Sequence, residues 1–116
     1  MTKGANSGVL FQVKEDPRYT YAYETGPEFQ VIDHESWPDA LEDVQINGST
    51  YGMYAPMERP SKHTGEWTPL TPIVAGNDGT QFVNGKVLVT YPTYSDEWTT
   101  LRNSGQCSDY PDAAQY

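Results

Sequence analysis

Residues 24–33 read ETGPEFQVID, and this stretch decides the fold class because its polar and apolar side chains alternate. Successive side chains of a β-strand point to opposite faces, so a period of two is typical of a half-buried strand. The pair Gly26-Pro27 marks the turn that precedes the strand. We therefore predict a strand over residues 28–33. One face carries Glu28, Gln30 and Ile32, and the other carries Phe29, Val31 and Asp33.

Other segments with strand spacing lie on both sides of this one. They cover residues 9–14, 19–23, 50–54, 67–75, 80–83 and 86–91. Asn84-Gly85 separates the last two and predicts a type I′ hairpin turn, because both residues tolerate a positive φ. Pro72 has no N–H to donate, which predicts an edge strand or a bulge at that position.

The rest of the chain shows no sustained apolar period. We predict a loop over residues 34–49 with one helical turn at 39–44, a short helix over 96–102 and a poorly ordered tail at 107–116. Together these segments predict a single all-β domain over residues 1–116. An antiparallel β-sandwich or jelly roll would cover both faces of its sheets.

The composition excludes several classes of function. Sixteen acidic and seven basic residues give a net charge of −9, which repels phosphate backbones, so we expect no nucleic acid partner. No apolar stretch approaches the roughly 20 residues that span a membrane. The first residues, MTKGANSG, lack the apolar core of a signal peptide. A lone cysteine, Cys107, excludes an internal disulfide.

Glu28 and Gln30 form the candidate site that follows from the residues alone. A strand places them side by side on one face, where a base would lie next to an amide. Tyrosines of the predicted strand at 19–23 would add flat aromatic surfaces, which suit carbohydrate rings. A solvated sheet face would carry the same pattern, so that interpretation stays open.

Several motifs in order resemble the 3-keto-disaccharide hydrolase domain family, which has a concanavalin A-like jelly-roll fold. The most specific are GANSGVLFQV at 4–13 and ETGPEFQVID at 24–33. Shorter ones follow with compatible spacing: WPDA at 37–40, STYGMYAP at 49–56, GEW at 65–67, AGND at 75–78 and VNGKVLVTY at 83–91. The resemblance covers most of the chain.

This resemblance implies a bacterial protein of the periplasm or the extracellular space that cleaves 3-ketoglycosides by C2 proton abstraction, elimination and hydration. An oligosaccharide or 3-ketoglycoside would be its partner. It implies Glu28 as the catalytic base or a metal ligand. The implied substrate contacts are Asn6, Gln30, Asp33, Tyr51 and Trp67. It implies no certain cofactor and leaves room for a divalent cation near the enolate oxygen.

The chain also departs from the family. Thr68 and Thr71 stand where the family commonly has Asn and Arg. The chain lacks counterparts of the family's first strand and of its final strand pair with a QDHG-type motif, so we expect a central portion of the domain. These departures keep open a non-catalytic carbohydrate-binding module of lectin-like fold, or an inactive truncated domain. Unpaired strand edges would also favour self-association.

Overall fold

The computed structural model describes residues 1–60 and 65–104. Within them, five strands form two antiparallel sheets, one with the order β1-β2 and one with the order β3-β4-β5. The elements are β1 (Asn6–Leu10), β2 (Glu28–Ile32), β3 (Leu70–Ala75), β4 (Asp78–Val83), β5 (Lys86–Pro92) and α1 (Asp96–Asn103), with single 3₁₀ turns at Ala22–Glu24 and Asp43–Gln45.

The two sheets share one hydrophobic core. Phe29 of β2 is fully buried among side chains of the other sheet and of α1. The core consists of Phe29, Met53, Val83, Leu88, Val89, Tyr91 and Trp98. A buried hydrogen bond of 3.2 Å, donated by the Thr50 hydroxyl to Gln81 Oε1, also joins the two halves. The prediction of an all-β antiparallel fold is confirmed, and the described residues form an incomplete β-sandwich.

The second sheet follows the sequence closely. Asn84 and Gly85 have φ values of 51° and 74°, so both adopt the left-handed conformation that the hairpin requires. Pro72 lies in β3, at the edge of its sheet, which confirms the edge-strand prediction. The helix predicted over 96–102 is α1, and the Ser95 side chain caps it by accepting a hydrogen bond of 3.1 Å from Trp98 N.

The prediction of a strand at 19–23 is wrong. A 3₁₀ turn occupies Ala22–Glu24, and the rings of Tyr21 and Tyr23 stack on each other 5.1 Å apart, both exposed. The carboxylate of Glu24 accepts hydrogen bonds of 2.6 Å from the backbone N–H groups of Thr20 and Tyr21. These local bonds compete with strand pairing and close the chain into a turn.

Three other predicted strands differ from the structure, and the one predicted at 67–75 begins only at Leu70. Residues 50–54 contribute only isolated bridge positions, because Tyr54 N donates back to Thr50 O at 3.0 Å. The strand predicted at 9–14 ends at Leu10, and Gln12 beyond it has a φ of 52°, which strand geometry does not allow. The helical turn predicted at 39–44 lies further along the chain, as the 3₁₀ turn Asp43–Gln45, and overlaps the prediction only at residues 43 and 44.

Some predictions concern features that the described residues do not test. The tail at 107–116, with Cys107, lies outside them, and the extent of the domain stays a prediction. Self-association through strand edges also stays a prediction, although β1 and β3 each pair with a single strand in the described part of the chain. No described helix has the length and apolar character that a bilayer crossing requires.

Candidate active site

A cavity of about 550 Å³ opens over the face of β2 that points away from the core. This face differs from that of Phe29 because side chains alternate along the strand. Glu28, Gln30 and Ile32 form the floor, and Asn6 of β1 lies at its edge. The volume lies in the range of roughly 300–1,000 Å³ that small-ligand sites occupy.

Glu28 is the carboxylate at the centre of this floor. Its side chain is partly buried, and this burial raises the pKa of the carboxyl above its ordinary value. Among residues 1–60 and 65–104, no donor makes a hydrogen bond to this carboxylate. A carboxylate that is desolvated and not stabilised by donors is a stronger base than one in water.

Gln30 lies beside Glu28 and is buried. Its Nε2 donates to Gln45 O at 3.3 Å, and its Oε1 accepts from Val31 N at 3.1 Å. These two contacts fix the orientation of the amide. Because a carboxamide has two N–H donors, one of them stays available for a ligand.

Aromatic and apolar side chains form the walls. Trp37 and Leu41 come from the loop after β2, Tyr51 follows the buried segment 46–50, and Tyr23 belongs to the first 3₁₀ turn. Flat rings beside oriented polar groups suit the alternating apolar and hydroxylated surfaces of sugars.

Arg102 of α1 is the cation that lines this cavity among the described residues. It is buried, and its Nη2 donates to Tyr23 O at 3.1 Å and to Gly26 O at 3.2 Å. Sequence reasoning missed Arg102, because the residue is distant from β2 in the chain and no local pattern links them. It also missed Trp37 and Gln45, although Trp37 is part of the WPDA motif.

The cavity brings together four of the six residues that the sequence singled out, namely Asn6, Glu28, Gln30 and Tyr51. Asp33 lies elsewhere, where its carboxylate accepts hydrogen bonds from Gly4 N at 3.0 Å and Ser36 N at 3.3 Å. Trp67 is 100% exposed and does not line the cavity. The roles of all six stay predictions.

The side chains around Glu28 do not match a metal site. Across the described ranges 1–60 and 65–104, no three His, Cys, Asp or Glu side chains gather closely enough to hold an ion. Divalent cations bound by protein usually need several oxygen or nitrogen ligands. What this floor offers is one carboxylate beside an amide.

The chain is similar to known proteins in sequence and in fold. A family model described as a 3-keto-alpha-glucoside-1,2-lyase-like domain matches residues 1–113. The 3-keto-disaccharide hydrolase of Bacteroides thetaiotaomicron is 25% identical over 123 residues, a match that covers 93% of this chain and 41% of the relative.

Two crystal structures from Parabacteroides distasonis, both described as candidate glycosyl hydrolases, also match. One has a TM-score of 0.86 at 33% identity and covers 99% of this chain and 54% of that one. The other has a TM-score of 0.67 at 23% identity, covers 80% and 47%, and shows the fold alone. This chain thus spans about half of each relative's length, or less.

Proposed function

Because the chain belongs to the 3-keto-alpha-glucoside-1,2-lyase-like domain family, we propose that it acts on 3-ketoglycosides in the cavity over β2. The family and the 3-keto-disaccharide hydrolase relative support a carbohydrate hydrolase-like function. The observation that carries the proposal is the partly buried Glu28 carboxylate at the floor of a sugar-sized cavity.

In the proposed first step, Glu28 removes the proton from C2 of the sugar. The C3 ketone makes this proton acidic, because the electron pair of the broken C–H bond moves onto the ketone oxygen as an enolate. The enolate then collapses. A double bond forms between C1 and C2, the bond from C1 to the aglycone oxygen breaks, and that oxygen takes a proton from solvent.

In the second step, water adds across the new double bond. Its hydroxyl joins C1 and a proton returns to C2, so that the net reaction is hydrolysis. The negative charge that develops on the ketone oxygen needs nearby donors or a cation. The second N–H of Gln30 and the guanidinium of Arg102 are two groups of this cavity that have that character.

A proton NMR time course with a 3-keto-disaccharide tests the proposal, with the unoxidised disaccharide as the substrate control. We expect sugar products only from the keto substrate. Glu28→Gln keeps the shape of the side chain but removes the base, so turnover should fall by about 100-fold or more. Glu15→Gln is the matched control, because Glu15 is exposed and does not line the cavity.

Two results would contradict parts of the proposal. If Glu28→Gln loses less than about tenfold in turnover, Glu28 is not the base. If the folded chain binds the keto sugar saturably without cleaving it, the carbohydrate-binding module is the better description. A periplasmic or extracellular location is a further part of the proposal, and fractionation of the source cells would test it.

A further inference from the structure

Gly8 of β1 lies directly beneath the side chain of Glu28. The residue pairs with Gln30, which makes Glu28 its diagonal neighbour on the same face of the two-stranded sheet. A Cβ atom built on Gly8 would fall on Glu28 Oε1 and would lie 2.6 Å from both Cδ and Cγ. All three nearest atoms therefore belong to Glu28. The carboxyl group occupies the space that a side chain at position 8 would fill.

We propose that Gly8 is a positioning residue for Glu28, an inference that rests on the proposed function. Because Gly8 has no side chain, the Glu28 carboxylate can occupy this space and is held there in its reactive position. Reaction rates depend steeply on the position of a catalytic group, and a misplacement of about 1 Å costs up to about 100-fold. The absence of a side chain at position 8 thus sets where the base lies on the cavity floor.

The backbone gives no other reason for glycine at this position. Gly8 lies inside the regular β1-β2 ladder and is not one of the residues with a positive φ, so alanine fits its conformation. Gly26 differs, because a Cβ there would meet the backbone oxygen of Phe11 at 2.9 Å. At Gly8 the obstructing atoms are the end of a flexible side chain. Alanine should therefore move Glu28 and leave the strand in place.

Gly8→Ala is the direct test, with Ser7→Ala as its control. Ser7 is the preceding residue of β1, is exposed and faces the other side of the sheet. We expect Gly8→Ala to keep a dispersed NMR spectrum and to lower kcat by roughly 10- to 100-fold, with little change in KM. Ser7→Ala should match the wild type.

A ¹³C NMR titration of the Glu28 carboxyl gives a readout that does not depend on activity. The other charged side chains that line the described cavity are Asp39 and Arg102, and the substitution changes neither. Alanine displaces the carboxyl from the sheet toward open water in the cavity. The pKa of Glu28 should then fall from its raised value toward that of an ordinary glutamate.

A double variant separates this role from a structural one. If Gly8 acts through Glu28, adding Gly8→Ala to Glu28→Gln should lower the residual rate no further. An equal loss in both backgrounds would overturn the proposal, as would an unchanged Glu28 pKa together with wild-type turnover. If the wild type fails to cleave 3-keto sugars, the proposed function is wrong, and the titration still decides whether Gly8 positions Glu28.

Discussion

The protonation state of Glu28 should control the pH dependence of this molecule. Burial raises the pKa of its carboxyl, and a base acts only when deprotonated. Turnover should therefore rise with pH through a midpoint above 4.5, the ordinary value for glutamate. Measuring kcat/KM from about pH 4 to about pH 8 checks this. A midpoint at or below the ordinary value would contradict the burial argument.

The raised pKa of Glu28 also makes the free energy of unfolding depend on pH. Below the unfolded-state pKa, Glu28 is protonated in both states and has no effect. As pH rises through the unfolded and then the folded pKa, the unfolded chain releases its proton first, so the wild type loses stability. Glu28→Gln should thus gain stability over the wild type as pH rises through this window. Urea unfolding at several pH values provides the check, with Glu15→Gln as the control.

Strand periodicity correctly placed some site residues on one face of the sheet and could not predict the position of others. The period of two along β2 places Glu28 and Gln30 on one face, and it places Asp33 on the opposite one. The resemblance nevertheless suggested Asp33 as a substrate contact, and in the structure its carboxylate accepts hydrogen bonds from backbone N–H groups. The strand predicted over 67–75 would begin at Trp67, but β3 begins only at Leu70, so strand alternation does not determine where the Trp67 side chain points.

At the scale of elements, the two sheets differ in how far the sequence determines them. The hairpin from β4 to β5 is encoded locally at its turn, because Asn84-Gly85 fixes the turn and the pairing of Val83 with Lys86 next to it. Further along, the register shifts between Phe82 and Gln81. The segment at 19–23 has equally regular tyrosines, yet the Glu24 carboxylate accepts two backbone N–H groups there and closes a turn. Alternation describes a face only where the backbone donors are free to pair with another strand.

Helix α1 holds one wall of the cavity in place through Arg102. Its Nη2 donates to the carbonyls of Tyr23 and Gly26, which come from the segment just before β2. Arg102→Met keeps the length and helix propensity of the side chain but leaves both carbonyls without this donor. We expect it to lower the free energy of unfolding by about 2 to 4 kcal/mol. Urea denaturation measures the change.

Thr100→Ala is the matched control for this variant, because Thr100 is exposed on the same helix. Its free energy of unfolding should stay within about 0.5 kcal/mol of the wild type. If Arg102→Met changes the free energy of unfolding as little as this control does, the two hydrogen bonds of Arg102 do not stabilise this wall of the cavity. α1 would then contribute to the fold through the packing of its apolar side chains, Trp98 and Leu101.

At the scale of the whole molecule, the cavity depends on a core that lies on the other side of β2. Phe29 packs against the second sheet, while its neighbours Glu28 and Gln30 face the cavity. The sequence did not show this arrangement, because it requires β2 and β5 to meet across more than fifty residues of chain. A substitution that destabilises the second sheet should therefore also affect the site, through Phe29 and the segment around Gly48.

Leu88→Ala tests this coupling. Leu88 lies in the core on β5, and its Cδ1 would be 3.1 Å from a Cβ built on Gly48, whose N–H donates to Gln30 O. Removing the side chain should cost about 2 to 5 kcal/mol of unfolding free energy. Val87→Ala, on the exposed face of the same strand, should cost well under half as much.

Hydrogen exchange shows whether the loss of stability in Leu88→Ala affects both sheets. If the molecule unfolds as one cooperative unit, Leu88→Ala should accelerate amide exchange in β2 and in β4 by the same factor, because both strands open only in global unfolding. Faster exchange confined to β3, β4 and β5 would mean that the two sheets open separately. The floor under Glu28 would then be stabilised by the β1-β2 pair and its own loops, and the core would not determine the geometry of the site.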